Sequence, residues 1–241
     1  MQYDMIMSFT SWKKRIFAPE FIKVLLSMLK QKTTAKYKVV LVLSSDEFPN
    51  LENELPKKLI TINELCDNFE ILWTKENTRA YKKYFPTRRK YPNENICIVD
   101  DDSLFHSNFV DTIVKYIKEN PNKIILGKNP RCKYNDTIAG VRWGGACYPP
   151  NSLYDLDETF GRKYFHEHDD EFYYLLAILN GTHYKGIDIG KIADIDKYQQ
   201  SKKLAITAKM DYGRLNDLWK NFRKENPELS KQFDENKKIK N

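Results

Sequence analysis

The sequence predicts an α/β domain with a mostly parallel central sheet flanked by helices, followed by a small C-terminal helical segment. Three observations predict it. Short β-branched apolar runs alternate with amphipathic stretches at helical spacing, the pattern of βαβ units with right-handed crossovers. One run, Ile96 to Val99, stops at Asp100, Asp101 and Asp102 just before another periodic stretch. That puts an acidic cluster at the carboxyl edge of a strand, where open α/β sheets bind ligands. Finally, 241 residues with 41% hydrophobic composition are enough for one real core.

The elements follow in order. Met5 to Phe9 reads as the first strand, ending in Thr10, Ser11 and Trp12, with Arg15 beyond. A helix is expected over Phe17 to Gln31. Pro19 suits its first turn, and Phe17, Phe21, Val24, Leu25 and Met28 form one stripe. Tyr37 to Leu43 is a Val-rich second strand ending in Ser44, Ser45 and Asp46. Leu55 to Leu65 is a poorer helix, and Phe69 to Trp73 a third strand. Asn77 to Tyr91 is polar and basic, a loop and a helix interrupted near Pro86. After the acidic strand, Ser107 or Asn108 caps a helix whose Val110, Ile113, Val114 and Ile117 share a face.

Lys123 to Leu126 is another strand, and Thr137 to Trp143 has the alternation of an antiparallel one. Trp143-Gly144-Gly145 and Pro149-Pro150 then make a loop whose glycines permit close approach of a ligand. His166 to Asp170 is a polar knot opening a helix with Phe172, Leu175, Leu176 and Leu179, closed by Gly181. His183 to Ile187 reads as a last strand and Asp211 to Lys224 as an amphipathic helix. The expected division is a domain over 1–205, a helical segment over 206–234 and a basic flexible tail over 235–241.

The formal charge of +7 favours anionic partners such as nucleotides, nucleic acid or an anionic membrane surface. No run approaches the roughly 20 apolar residues of a membrane span, and Met1 to Trp12 lacks the basic-then-apolar order of a signal peptide. Cys66, Cys97, Cys132 and Cys147 are widely spaced with no CxxC pair. Neither a zinc site nor a disulfide framework is therefore expected, and a reducing cytoplasm fits.

The acidic cluster has four readings. Hard cations such as Mg2+ and Mn2+ take carboxylate oxygens and fill their shells with water and phosphate. On an extended segment Asp100 and Asp102 point the same way while Asp101 turns aside. A response-regulator receiver also carries such a run, but on its first strand, whereas about three βα units precede this one. A haloacid-dehalogenase-type phosphatase needs Thr or Val where this chain has Leu104. The fourth reading is structural, an acidic helix start favoured by the helix dipole.

Taken together, the order of features resembles the GT-A-fold glycosyltransferases, and is similar to the small family-2-like enzymes of bacterial surface polysaccharide (capsule or lipopolysaccharide) synthesis. The matching residues are Ser8-Phe9-Thr10-Ser11 with Arg15, Glu47-Phe48-Pro49 with Leu55-Pro56, Arg79-Ala80-Tyr81-Lys82-Lys83, Asp100-Asp101-Asp102 at the DxD position, Trp143-Gly144-Gly145 with Tyr148-Pro149-Pro150, and His168-Asp169-Asp170 with Asn180-Gly181-Thr182. The resemblance implies a single Rossmann-like GT-A domain and a metal-dependent transfer of a sugar from a nucleotide donor, UDP-sugar favoured, to a glycan or lipid-linked acceptor. It implies that Thr10, Ser11, Arg15 and Asp46 border the nucleotide, and that Arg79, Lys82 or Lys83 face its phosphates. Asp102, with Asp100, would hold Mn2+ or Mg2+, and Asp100 and Asp101 would line the donor. Trp143, Gly144 and Gly145 would meet the acceptor. Asp170, or alternatively Asp169, would be the general base of an inverting displacement.

Beside the resemblance, simpler readings stand. One of Asp169 and Asp170 could be an ordinary helix cap, although a second carboxylate beside it then lacks a purpose. His166 and His168 could complete a metal shell or simply be solvated. Trp143 could stack on a sugar or anchor its loop. A sugar nucleotidyltransferase would carry a Gly-rich loop after the first strand, and Thr10 to Arg15 has no glycine. A nucleic-acid binder would use Tyr84, Phe85 and Tyr91 among basic residues, which leaves the acidic clusters unexplained, so no nucleic-acid partner is expected. The basic tail could touch anionic lipid at the inner face of a membrane.

Overall fold

The computed structural model describes residues 2–128, 145–189, 193–194 and 212–238. Four parallel strands form one half of the sheet: β1 (Met5–Thr10), β2 (Tyr37–Ser44), β3 (Phe69–Thr74) and β4 (Ile96–Ile98). The sheet continues through β7 (Ala146–Tyr148), β6 (Lys123–Lys128) and β8 (His183–Asp188), in the order β3-β2-β1-β4-β7-β6-β8. Only β7 is antiparallel to its neighbours β4 and β6, and β6 and β8 are parallel. A two-stranded ribbon, β5 (Ser103–Leu104) with β9 (Ala193–Asp194), hangs directly after the acidic turn.

Alternation along the strands divides the core into two layers. Met5, Met7, Phe9 and Cys97 face one side, where α2 (Pro19–Leu29) supplies Phe21, Val24, Leu25 and Met28. On the same side α3 (Lys57–Leu65) and α5 (Phe109–Glu119) supply Leu59, Phe109, Val110 and Ile113. Ile6, Val40, Val42, Ile96 and Ile98 face the other side, which is dominated by aromatics. Tyr84 and Phe85 at the start of α4 (Phe85–Lys90) pack there with Phe165 of α6 (Glu158–Phe165) and with Phe172 and Tyr173 of α7 (Asp169–Leu179). Phe222 of α8 (Tyr212–Glu225) and Phe233 of α9 (Pro227–Lys238) complete the layer.

Several local expectations are corrected. Helix α2 falls within the expected Phe17 to Gln31 with Pro19 in its first turn, and an unexpected short helix, α1 (Lys13–Ile16), precedes it. Pro86 does not interrupt a helix; it sits in the first turn of α4, where its missing N–H has no partner to lose. Asn108 precedes α5 without capping it, because its Oδ1 bonds His106 Nδ1 at 2.6 Å. Several elements escaped the sequence reading, among them α1, β5, β9, α6 and β7. Helix α6 is capped by Asp157, whose Oδ1 accepts from the N–H groups of Thr159 and Phe160. Strand β7 is only three residues long, too short for its period to register. Helix α9 runs to Lys238, past the expected start of the tail at 235. The strand expected over 137–143 lies outside the described residues.

Candidate active site

The site lies at the carboxyl edge of the parallel strands, where β1 and β4 run side by side in register from Ile6↔Ile96 to Ser8↔Ile98. This pairing delivers the ends of both strands to one place. Ser11, just after β1, donates to Asp101 Oδ2 at 2.5 Å. Arg15, on α1, pairs with Asp101 Oδ1 and reaches Asp102 Oδ2 at 3.6 Å. Asp101 is therefore the inward carboxylate of the three, only 9% exposed. Burial pushes its pKa up, and Arg15 and Ser11 oppose that push. Asp100 and Asp102 are the more open carboxylates, with side chains 43% and 28% exposed, although Asp101 and Asp102 lie in a turn and not on the extended segment expected. Thr10 Oγ1 donates to Val42 O at 2.7 Å and so ties β1 to β2.

A second acidic group faces the first. Lys83, in the 3-10 turn Arg79–Lys83, places its Nζ 2.5 Å from Asp100 Oδ1. Burial works against its charge, but Asp100, Asp169 and Asp170 together hold its pKa above the ordinary lysine range. One ammonium thus bonds the DxD turn and lies in the field of the two carboxylates at the start of α7. Asp169 and Asp170 are the first two residues of α7, with His168 at the capping position making no side-chain cap. Asp169 is 8% exposed, and its Oδ2 is buried without a hydrogen-bond partner. Burial, followed by the neighbouring Asp170, pushes its pKa up to about 7. The hydroxyls of Tyr81 and Tyr173 are likewise buried without partners, and both feel the Asp169 charge. Asp170 is only half-buried.

The remaining expected residues divide. Asp46 is exposed after β2 and accepts from Asn77 N at 3.2 Å. Lys82 is buried with Nζ 3.9 Å from Glu47 Oε2, and burial lowers its pKa against the pull of Glu47 and Asp46. Arg79 turns to Glu167 and adopts a left-handed φ of 54°. Gly145 has φ +83°, and a Cβ there would stand 2.9 Å from Ile98 O, so the backbone at Gly145 is pressed against the strand that leads to the acidic turn. Trp143 and Gly144 lie outside the described residues. His166 is exposed at a φ of 51°. Sequence reasoning had assigned no role to Glu47, Asn77, Glu167 or the buried Tyr81 and Tyr173 hydroxyls. Only packing brings these together, and no local pattern marks them.

The basic run over 82–90 is largely satisfied inside the protein. Arg88 donates to five backbone carbonyls, those of Tyr91, Pro92, Glu94, Tyr148 and Pro149. Arg89 pairs with Glu158 and Lys90 with Glu70. Tyr84 and Phe85 are buried, so the exposed aromatic stripe of a nucleic-acid binder is not present in this stretch.

The donor atoms at the acidic turn are hard oxygens, half open to solvent. Among the described residues no three His, Cys, Asp or Glu side chains form a protein-only metal cage. Such a set fits a cation that keeps waters and substrate phosphates in its shell, as Mg2+ and Mn2+ do, and does not fit zinc.

With this geometry in hand, likeness to solved structures is informative. A crystal structure of S. aureus TarS 1–349 in complex with UDP superposes with a TM-score of 0.55 at 12% identity, over 78% of this chain and 59% of that one. The crystal structure of S. aureus TarS 1–349 gives 0.51 at 12% identity over the same shares. A structure of S. aureus TarS gives 0.54 at 14% identity, over 78% of this chain and 36% of that one. The fold is GT-A-like. The α/β model with its mostly parallel sheet of seven strands matches that glycosyltransferase fold. The chain spans 59% of the length of the TarS 1–349 chains it matches. No protein-family model matches it, and no curated protein matches it in sequence. No helix among the described residues is long and apolar enough to cross a membrane.

Proposed function

We propose that the chain is a glycosyltransferase that moves a sugar from a nucleoside-diphosphate sugar to a hydroxyl of a glycan or lipid-linked acceptor, with inversion, in bacterial surface polysaccharide synthesis. The observation that carries the reading is the placement of Lys83. It pairs with Asp100 of the DxD turn at the end of β4 and feels the charges of Asp169, buried, and Asp170, half-buried, at the start of α7. Donor binding needs the first and acceptor activation the second. Likeness to a UDP complex at the level of the fold supports UDP as the first nucleotide to test.

In this reading Asp102 and Asp100 hold Mn2+ or Mg2+ together with the donor diphosphate. The cation, when bound, supplies Lewis-acid stabilisation of the leaving diphosphate. Arg15 and Ser11 pin Asp101 and so orient the turn. Thr10 and Asp46 stand at the nucleoside side, and Lys82 and Arg79 at the phosphate side. Lys83 sits between leaving group and base. Asp170, the more open of its pair, takes the acceptor proton. Asp169, buried and raised to about 7, is suited to sharing a proton with Asp170 and poorly placed to reach an acceptor. Gly145 stands at the same edge, and the resemblance assigns Trp143 and Gly144 to the acceptor. Exposed lysines at the end of α9, Lys237 and Lys238, would support contact with an anionic membrane that presents a lipid-linked acceptor.

Calorimetric titration with UDP, GDP and CDP, with and without Mn2+, tests the reading. One nucleotide should bind at micromolar affinity only with the metal, and Asp102→Ala should abolish that binding. Binding of no nucleotide under any metal condition would remove the basis of the proposal.

A further inference from the structure

Two of the cysteines meet in the centre of the sheet. Cys97 of β4 lies directly opposite Cys147 of β7 in the antiparallel register, and both are 0% exposed within the same core layer. The hydrogen-bond phase of the neighbouring strands decides what kind of pair this is. On one side Ile6 N donates to Asn95 O at 2.8 Å and Val99 N donates to Ser8 O at 3.0 Å. With Met7 beside Cys97 in parallel register, this phase makes Asn95, Cys97 and Val99 turn their backbone groups toward β1. On the other side Gly127 N donates to Gly145 O at 3.0 Å, and Cys147 stands opposite Ile125. Antiparallel alternation then turns the backbone groups of Cys147 toward β6.

Neither cysteine therefore uses its backbone toward the other. Cys97 and Cys147 form a non-hydrogen-bonded cross-strand pair, the closely spaced kind with Cα atoms about 4.5 Å apart. That separation falls within the range of about 4.4–6.8 Å that a disulfide spans without backbone movement. Cys66 is elsewhere, half-buried at the end of α3.

We propose that Cys97 and Cys147 are a modification site at which a peroxide joins β4 to β7 through a cross-strand disulfide. One thiolate attacks a peroxide oxygen, breaking the O–O bond to give a sulfenic acid and water. The second sulfur then attacks the sulfenic sulfur and expels its hydroxyl, which leaves as water with the remaining thiol proton. Two thiols are oxidised to one disulfide, and hydrogen peroxide is reduced to two waters. Burial pushes the Cys147 thiol well above its ordinary pKa, so the reaction is slow near neutrality and quickens as the pH rises. The device acts as a staple and not as a fast sensor. It fastens the strand that ends at Asp100 to the strand that begins after Gly145, across an intervening chain of about 50 residues.

The test is oxidation of the full native chain with hydrogen peroxide, followed by alkylation of the remaining thiols, digestion and mass mapping. The expected result is one cross-link, between the peptides holding Cys97 and Cys147, with loss of two hydrogens and with Cys66 and Cys132 left alkylated. The same oxidation in urea should scramble the pairing. The oxidised native protein should melt at least about 5 °C higher, and dithiothreitol should reverse the rise. Cys147→Ala should lack both the cross-link and the rise. Oxidation of Cys66 or Cys132 with Cys97 and Cys147 left alkylated would overturn the proposal, as would a Cys97–Cys147 bond that lowers the melting temperature. Neither of those readings depends on the variant folding.

Discussion

At the residue scale, the two neighbouring carboxylates at the start of α7 have different surroundings and should behave differently. Asp170 is half-open, and Asp170→Asn should lower turnover by about 10^2 to 10^4 while leaving nucleotide affinity unchanged, read by initial rates beside calorimetry. Asp169 is a stability liability with a pH signature. Its folded-state pKa is raised to about 7 from 3.8, so the folded protein holds that proton more tightly than the unfolded chain does. Stability present below about pH 4 is therefore lost as the pH rises toward 7. Asp169→Asn, with no proton to lose, should gain on the wild type across that window, by at most about 4 kcal/mol above pH 7. Loss of the attraction to Lys83 trims this gain. Thermal melts of both proteins from pH 4 to 8 measure it, and a constant difference would show that Asp169 does not titrate in that window.

At the element scale, the site depends on close packing of α7, which carries the two carboxylates, against helices that carry no proposed catalytic group. Gly161 of α6 faces α7 so tightly that a Cβ would stand 2.5 Å from Phe172 Cδ1 and 2.7 Å from Tyr81 Cε1. Gly161→Ala must push α6 from α7 and from the 3-10 turn that holds Lys83. A destabilisation of about 1–3 kcal/mol is expected, with a larger loss of activity than of nucleotide binding. Arg88 is the second such device. Its guanidinium collects five carbonyls from the loops at 91–94 and 148–149, and so holds α4 to the chain before β4 and after β7. Arg88→Ala leaves those acceptors without this donor and should cost about 2–4 kcal/mol in denaturant unfolding. In the sequence it was one charge in a basic run, indistinguishable from a phosphate ligand.

At the scale of the whole molecule, the C-terminal helices brace α7: α8 near its start, through Trp219 and Glu171, and α9 at its end. Gln232 Nε2 and Asn236 Nδ2 donate to Leu179 O at 3.0 Å, and Asn236 also to Ile178 O at 2.9 Å. They thereby satisfy carbonyls that the end of α7 leaves open. Phe222 packs against Phe160, Tyr164, Phe165 and Trp219. Phe222→Ala should cost about 3–5 kcal/mol and loosen α7 first, seen as faster amide exchange there than in β1 or β2. Uniform exchange across the chain would separate α7 from this support.

The sequence by itself determined the strand order along the chain, the parallel character of the first half, and the acidic turn at a strand end. Those features are written in local periods, in β-branched runs and in helix starts, and local sterics enforce them. Asp100, Asp101, Asp102, Asp169 and Asp170 were legible because clustered carboxylates are costly without a reason. Only the tertiary structure decided that Asp101 turns inward onto Ser11 and Arg15, and that Lys83 pairs with Asp100 within the field of Asp169 and Asp170. It also decided that Arg88 serves the backbone, and that Cys97 faces Cys147. Each of these depends on which strands lie side by side and in what register. Residues brought together from 17 or 50 positions apart leave no period in the chain, because their meeting is set by the packing of the whole sheet.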